Sequence, residues 1–233
     1  MYFVRCSFSR LQMAVAQVIR TFPKEKAVVS KELATKMYRT LPYFIGKALA
    51  ELPQIALFSG LFGSIVYRLT GLSRAAGKFR NFLTLLGTHG LLCEAVGLTI
   101  GAISPSSDVA LAFFPAVIVL NIIFDGKNIS EENTPRLLRW IPKLGLIRWG
   151  FEGLCVNEFE GLTFDSSGPR RGPAAKTGED ALARFGLGKF SVGDVMRAQL
   201  SITGICWLLS YLGLTLTRQK FLVMKEPNDS SRN

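Results

Sequence analysis

The sequence predicts an all-α, polytopic membrane protein, and three observations predict it. Hydrophobic residues make up 48% of the 233 residues, with Phe alone counting 17. Charged residues gather between apolar blocks instead of spreading along the chain, as in polytopic membrane proteins. A dense basic stretch opens directly into an apolar run of membrane length, the signature of a cytoplasmic loop entering a bilayer. Together these predict about four clear membrane spans, a partial N-terminal helix and a re-entrant or interfacial hairpin.

The net charge of +11 would suggest nucleic acid in a soluble chain. Here no basic patch is interleaved with exposed aromatics, so the expected partner of the basic loops is membrane lipid, not nucleic acid. Cys6, Cys93, Cys155 and Cys206 have no metal-ligand spacing and read as small buried hydrophobes. Their spacing leaves a disulfide at Cys155 open and demands none.

Residues 1–22 carry Arg5 and Arg10 with no acid, but lack a clean apolar core and a small-residue cleavage site, which argues against a secretory signal. Phe3, Phe8, Leu11, Val15, Val18, Ile19 and Phe22 interrupt the polar positions and predict a partial membrane or interfacial helix. An organellar transit peptide is the alternative. Residues 23–48 follow as the basic cytoplasmic loop, with Lys24, Lys26, Lys31, Lys36, Arg39 and Lys47 against Glu25 and Glu32.

Residues 49–126 predict three spans. The first, 49–69, contains Pro53, which a bilayer helix tolerates when a neighbour satisfies the freed carbonyl. It also carries the small residues Ser59, Gly60, Gly63 and Ser64, which suit close helix contact. The second, 79–103, contains His89 and Glu94. Intramembrane ionisable groups are costly and usually face the bundle interior. The simpler reading gives each a structural hydrogen bond, with His neutral and Glu open to protonation; the functional reading is a polar relay or cavity-lining pair. Gly97 and Gly101 offer another close contact. The turn Ser104, Pro105, Ser106, Ser107, Asp108 breaks one helix and caps the next. The third span, 109–124, holds Asn121, read as interhelical glue or as a substrate contact.

Residues 127–193 predict the re-entrant or interfacial hairpin and an external loop. Arg136, Arg139, Trp140, Lys143, Arg148 and Trp149 make 128–159 too charged to cross and too apolar to stay in water. Residues 194–217 are the last span and 218–233 a polar tail. Strict alternation with 23–48 inside places 68–80 outside, where Arg68, Arg74, Lys78 and Arg80 run against the positive-inside rule.

Three ordered blocks carry a family resemblance. Phe22, Pro23, Glu25, Lys26, Lys31, Glu32, Tyr38 and Glu51-Leu52-Pro53 resemble the loop before the third membrane helix of subfamily G of the ABC transporters, the white/brown-complex half-transporters, plant-type members especially. RWIPKLGLIRWGFEGLCVNEF (139–159) and GLTFD (161–165) resemble two later blocks of that family in the same order. The resemblance implies a type-two exporter permease bundle, six helices per subunit, paired with a second half-transporter as homo- or heterodimer around a central cavity. It implies that 23–38 holds a coupling helix, with Glu25, Lys26, Lys31, Glu32 and Tyr38 facing a nucleotide-binding domain. Val119, Asn121, Ile122 and Phe124 would line the cavity, where Lys127 and Asn128 replace the apolar plug of some members.

No G-x-x-x-x-G-K-[ST] occurs in the chain; the nearest decoy, GPRRGPAAKT at 168–177, lacks the Gly-Lys pair. The expectation is therefore a non-enzymatic permease portion with no catalytic residue, metal or cofactor of its own. ATP and Mg²⁺ would belong to a nucleotide-binding domain outside this chain, and the first membrane helix would be missing, as in a truncated product or fragment. The cargo expected is a hydrophobic or amphipathic solute, and the membrane the plasma membrane or a plastid envelope. The alternative is a truncated, non-transporting subunit that dimerises with full-length relatives and modulates them.

Overall fold

A computed structural model describes residues 2–35, 37–73, 75–123, 145–163, 177–184 and 186–216, with side chains from Val15 onward except at 27 and 34. The described residues form α1 (Tyr2–Ala34), α2 (Thr40–Thr70), α3 (Lys78–Ile103), α4 (Ser107–Ile123), α5 (Leu146–Phe159), α6 (Gly178–Arg184) and α7 (Val192–Leu216). Among them the sole extended pairing is an isolated antiparallel bridge between Thr163 and Thr177. The all-α membrane architecture is as the sequence predicts. By length and composition α2, α3 and α7 can cross a bilayer, while α4, at 17 residues, is shorter.

The stretch expected as a coupling loop or helix over 23–48 is helical through Ala34 and again from Thr40, and α1 runs unbroken from residues 2–22 into it. Pro23 sits inside α1 and forfeits one backbone donor without ending the helix. The reason lies in the apolar stripe: Val15, Ile19, Phe22, Val29 and Leu33 are all buried, so the same face packs on both sides of the proline. The residues between α1 and α2 are correspondingly few.

The bundle is built around α3, which touches α1, α2, α4, α5 and α7. His89, Leu92, Cys93, Ala95 and Ala102 on it are fully buried. Small residues set the approach distances. A Cβ at Gly97 would meet Val18 Cβ at 3.0 Å, and one at Gly101 would meet the Phe22 ring at 2.8 Å, so α1 lies against α3 where the two glycines fall. α2 closes with Gly71 in the left-handed region (φ 63°), whose N–H donates to Arg68 O.

Contacts order the two ends. Phe22 and Gly213 pack near Gly101 and Ala102, so the α1–α2 junction, the α3–α4 turn and the end of α7 share one end. At the other end, Lys78 at the start of α3 meets the end of α5. That contact gives one of the four basic residues of the 68–80 turn, Lys78, a partner within the bundle. Lys78 Nζ donates to Glu158 O at 2.9 Å and Glu160 O at 2.7 Å, so it serves the orphan carbonyls of a helix C-terminus.

The 128–159 segment is described only from Gly145. From there it is a helix buried in the bundle over Leu146–Asn157. Trp149 packs on Phe190, ring centroids 5.2 Å apart. Arg148 lies over the Trp149 ring at 5.6 Å and 4.0 Å from the Glu152 carboxylate, one turn away. A buried ion pair of this kind lets a helix with charges enter an apolar core. Residues 124–144, 164–176 and 217–233, which include Phe124, Lys127, Asn128 and the decoy glycine motif, lie outside the described residues.

Candidate functional site: the coupling end and the polar interior

At the α1–α2 end the expected coupling residues separate into three roles. Glu25 Oε2 lies 2.9 Å from Lys47 Nζ, and Lys47 reaches Glu51 Oε1 at 3.1 Å, one turn further along α2. This ties α1 to α2 through a shared lysine that the sequence offered as one basic residue among many. Lys26 turns inward. Its ammonium donates to Ala102 O at 2.6 Å and Ser104 O at 3.3 Å, capping the C-terminus of α3. Partial burial lowers its pKa from the ordinary lysine value, while the two carbonyls accept from the charged form.

Glu32 accepts a hydrogen bond from the Tyr38 hydroxyl at 2.5 Å, and Tyr38 stacks on Tyr43, centroids 6.0 Å apart. Desolvation, then the hydrogen bond and charge of Glu32, push the Tyr38 phenol up to about 12. Lys31 is exposed. The structure thus gathers Glu25, Lys26, Glu32 and Tyr38 into one braced corner and leaves Lys31 on its surface.

Of the candidate cavity residues, Val119 and Ile122 share one face and Asn121 does not, while Phe124 lies outside the described residues. Val119 (52% exposed) and Ile122 (40%) fall on the outer side of α4, while Asn121 turns toward α5. Its Nδ2 donates to Val117 O at 2.9 Å, and its Oδ1 accepts from the Leu146 backbone N–H at 2.7 Å. The interhelical reading of Asn121 therefore has direct partners: it satisfies an orphan donor at the start of α5.

Inside the bundle, His89 is fully buried with Nε2 3.5 Å from Cys93 Sγ. Glu94, five residues on and thus about 140° around the helix, is 4% exposed and points elsewhere. The sequence missed the polar rungs between α3 and α7. Thr88 donates to Gln199 at 2.6 Å, and Thr99 Oγ1 donates to Cys206 O at 2.9 Å and lies 3.0 Å from Ser210 Oγ. Hydroxyls at Thr88, Thr99 and Ser210 in otherwise apolar helices were the available signal. Also missed was Arg148 with Glu152, whose i, i+4 spacing was legible. Burial pushes the Cys155 thiol of α5 up to about 12, which keeps it protonated and inert.

No three His, Cys, Asp or Glu side chains among the described residues are placed to hold a metal ion. What the arrangement provides is a rigid corner of charge, tied to α2 and α3, at one end of a membrane-length bundle. That defines a multi-pass helical membrane component whose polar residues brace helices together.

Comparison with known proteins supplies the family. The sequence profile of the ABC-2 type transporter family matches residues 7–159, so the chain belongs to that family of transporter membrane domains. ABC transporter G family member 7 of Arabidopsis thaliana is 35% identical over 208 residues, 89% of this chain and 28% of that protein. Protein white of Drosophila melanogaster is 27% identical over 210 residues, 90% of this chain and 29% of that protein. The ABC transporter ATP-binding protein/permease wht-1 of Caenorhabditis elegans is 30% identical over 140 residues, 59% of this chain and 21% of that protein. The subfamily G resemblance read from the three blocks is thus shown, and the chain is a membrane-integral permease portion of that subfamily. It spans less than a third of the length of these relatives.

Proposed function

We propose that the chain moves a hydrophobic or amphipathic solute across a membrane as the permease part of an ABC-type exporter, driven by an ATP-binding domain outside this sequence. The observation that carries this is the braced corner, in which Glu25, Lys47 and Glu51 bind α1 to α2 while Lys26 grips the end of α3. A push received there reaches three helices at once, as rigid-body rearrangement of a bundle requires. The printed name of the wht-1 relative joins an ATP-binding protein to a permease, which supports pairing with such a domain. The working unit is a dimer with a second half-transporter, homo- or hetero-, with the cavity between them and the plasma membrane as its site. ATP and Mg²⁺ are held by the partner domain.

The test is an ATP-driven vesicle assay of the chain together with a subfamily G ATP-binding domain. Glu32→Lys reverses a charge at the corner and breaks its bond to Tyr38. The expected result is ATP hydrolysis retained with solute movement reduced at least tenfold, about 1.4 kcal/mol of lost coupling. Transport at the unsubstituted rate would overturn the coupling assignment.

A further inference from the structure

Glu94 is set in the interior of α3 with Leu92, Cys93 and Ala95 at 0% exposure around it. Neither of its carboxylate oxygens has a hydrogen-bond partner among the described residues. An ionised carboxylate in such surroundings, inside a membrane bundle, is costly by several kcal/mol. Glu51 and Lys47 of α2 lie within electrostatic reach of it. From there a line of charge leads outward: Glu51 to Lys47 at 3.1 Å and Lys47 to Glu25 at 2.9 Å. Glu94 is 4% exposed, while the members of the line are 24% (Glu51), 19% (Lys47) and 42% (Glu25) exposed, so the line connects the interior to the surface. Close packing around Glu94 and the lack of a three-ligand cluster among the described residues leave a proton as the cation that fits.

We propose that Glu94 is a proton-binding site within the bundle, exchanging with water at the α1–α2 end by way of Glu51. The neutral Glu94 carboxyl gives its proton to the Glu51 carboxylate, leaving Glu94 ionised and Glu51 neutral. Lys47, no longer facing a charge on Glu51, stays paired with Glu25 and becomes the counter-ion for Glu94. Other titratable groups on the elements packed against α3 include Lys26 on α1, Tyr43 on α2, His89 and Cys93 on α3 itself, Arg148 with Glu152 on α5, and Cys206 and Tyr211 on α7. Lys26 is committed to the α3 carbonyls, and none of the others supplies a cation beside Glu94 in place of Lys47.

Infrared spectroscopy of the chain in lipid nanodiscs reads the C=O stretch of a protonated carboxyl apart from carboxylates. At neutral pH a band is expected in the unsubstituted chain and not in the isosteric Glu94→Gln, and it should disappear as pH is raised. Glu51→Gln is expected to move the pH at which the band is lost, while Glu160→Gln at the opposite end leaves it in place. Glu94→Asp keeps a carboxyl and should shift the band, which keeps the test open if Glu94→Gln fails to assemble. Identical spectra for the unsubstituted chain and Glu94→Gln, or for Glu94→Asp, would overturn the site. Indifference to Glu51→Gln would overturn the exchange route. The readout needs no transport, so its failure leaves the exporter reading standing.

Discussion

Lys26 separates what a sequence says about a residue from what a fold does with it. The FPKEK block marked Glu25 and Lys26 alike as contact charges, yet Lys26 reaches carbonyls 76 and 78 residues away. Nothing local to position 26 encodes that distance, so its target was not legible. Lys26→Met removes the charged donor and leaves two carbonyls short. We expect a loss of about 1–3 kcal/mol, read as a lower midpoint in thermal unfolding in detergent. Lys26→Arg, which keeps a donor, should recover part of it. Tyr38 is a second test at this scale. Its folded pKa, up to about 12, lies above the ordinary 10.0, so its contribution is fully present below pH 10 and lost as pH rises through 12. An unfolding midpoint that falls across that window in the unsubstituted chain, and falls less in Tyr38→Phe, is the expected outcome.

Helices were legible where apolar length alone decides, as in α2, α3 and α7. They were not legible where a charged or proline-bearing segment gains its apolar environment from elsewhere. α1 continues through Pro23 because Ile19 and Phe22 before it and Val29 and Leu33 after it are all buried along one stripe. α5 enters the core because its own Arg148 and Glu152 meet one turn apart. Glycines separate packing from propensity at this scale. Gly101→Ala places a Cβ 2.8 Å from the Phe22 ring and should destabilise by about 1–3 kcal/mol through forced repacking. Gly46→Ala, in open space on α2, should be neutral or stabilising by up to about 1 kcal/mol. Paired melting curves of the two variants check this; equal shifts would mean that the α1–α3 approach is not tight.

Across the whole molecule, burial falls on α3 while α2 and α7 carry large apolar side chains outward. Leu57, Leu61, Ile65 and Leu69 recur every four residues along α2 at 57–76% exposure. In water such a stripe would aggregate; in a bilayer it is ordinary lipid-facing or subunit-facing surface. Leu61→Arg near the middle of α2 is expected to cost about 2.5–3.5 kcal/mol of insertion free energy. A glycosylation-tag insertion assay should report loss of the α2 crossing, whereas Leu61→Phe should insert normally. Composition made this surface legible in outline. The helix at the centre was not, since hydropathy ranks the crossing helices almost equally.

The two lysine caps have a mechanical consequence. Lys26 fastens α1 to the end of α3, and Lys78, at the beginning of α3, fastens that helix to the end of α5. The three are linked in series, with a 26-residue rod of about 39 Å between the fasteners. In a series linkage the compliances of the joints add. Loosening either lysine would therefore absorb part of a displacement before it arrives at the far side of the bundle, and loosening both would absorb more.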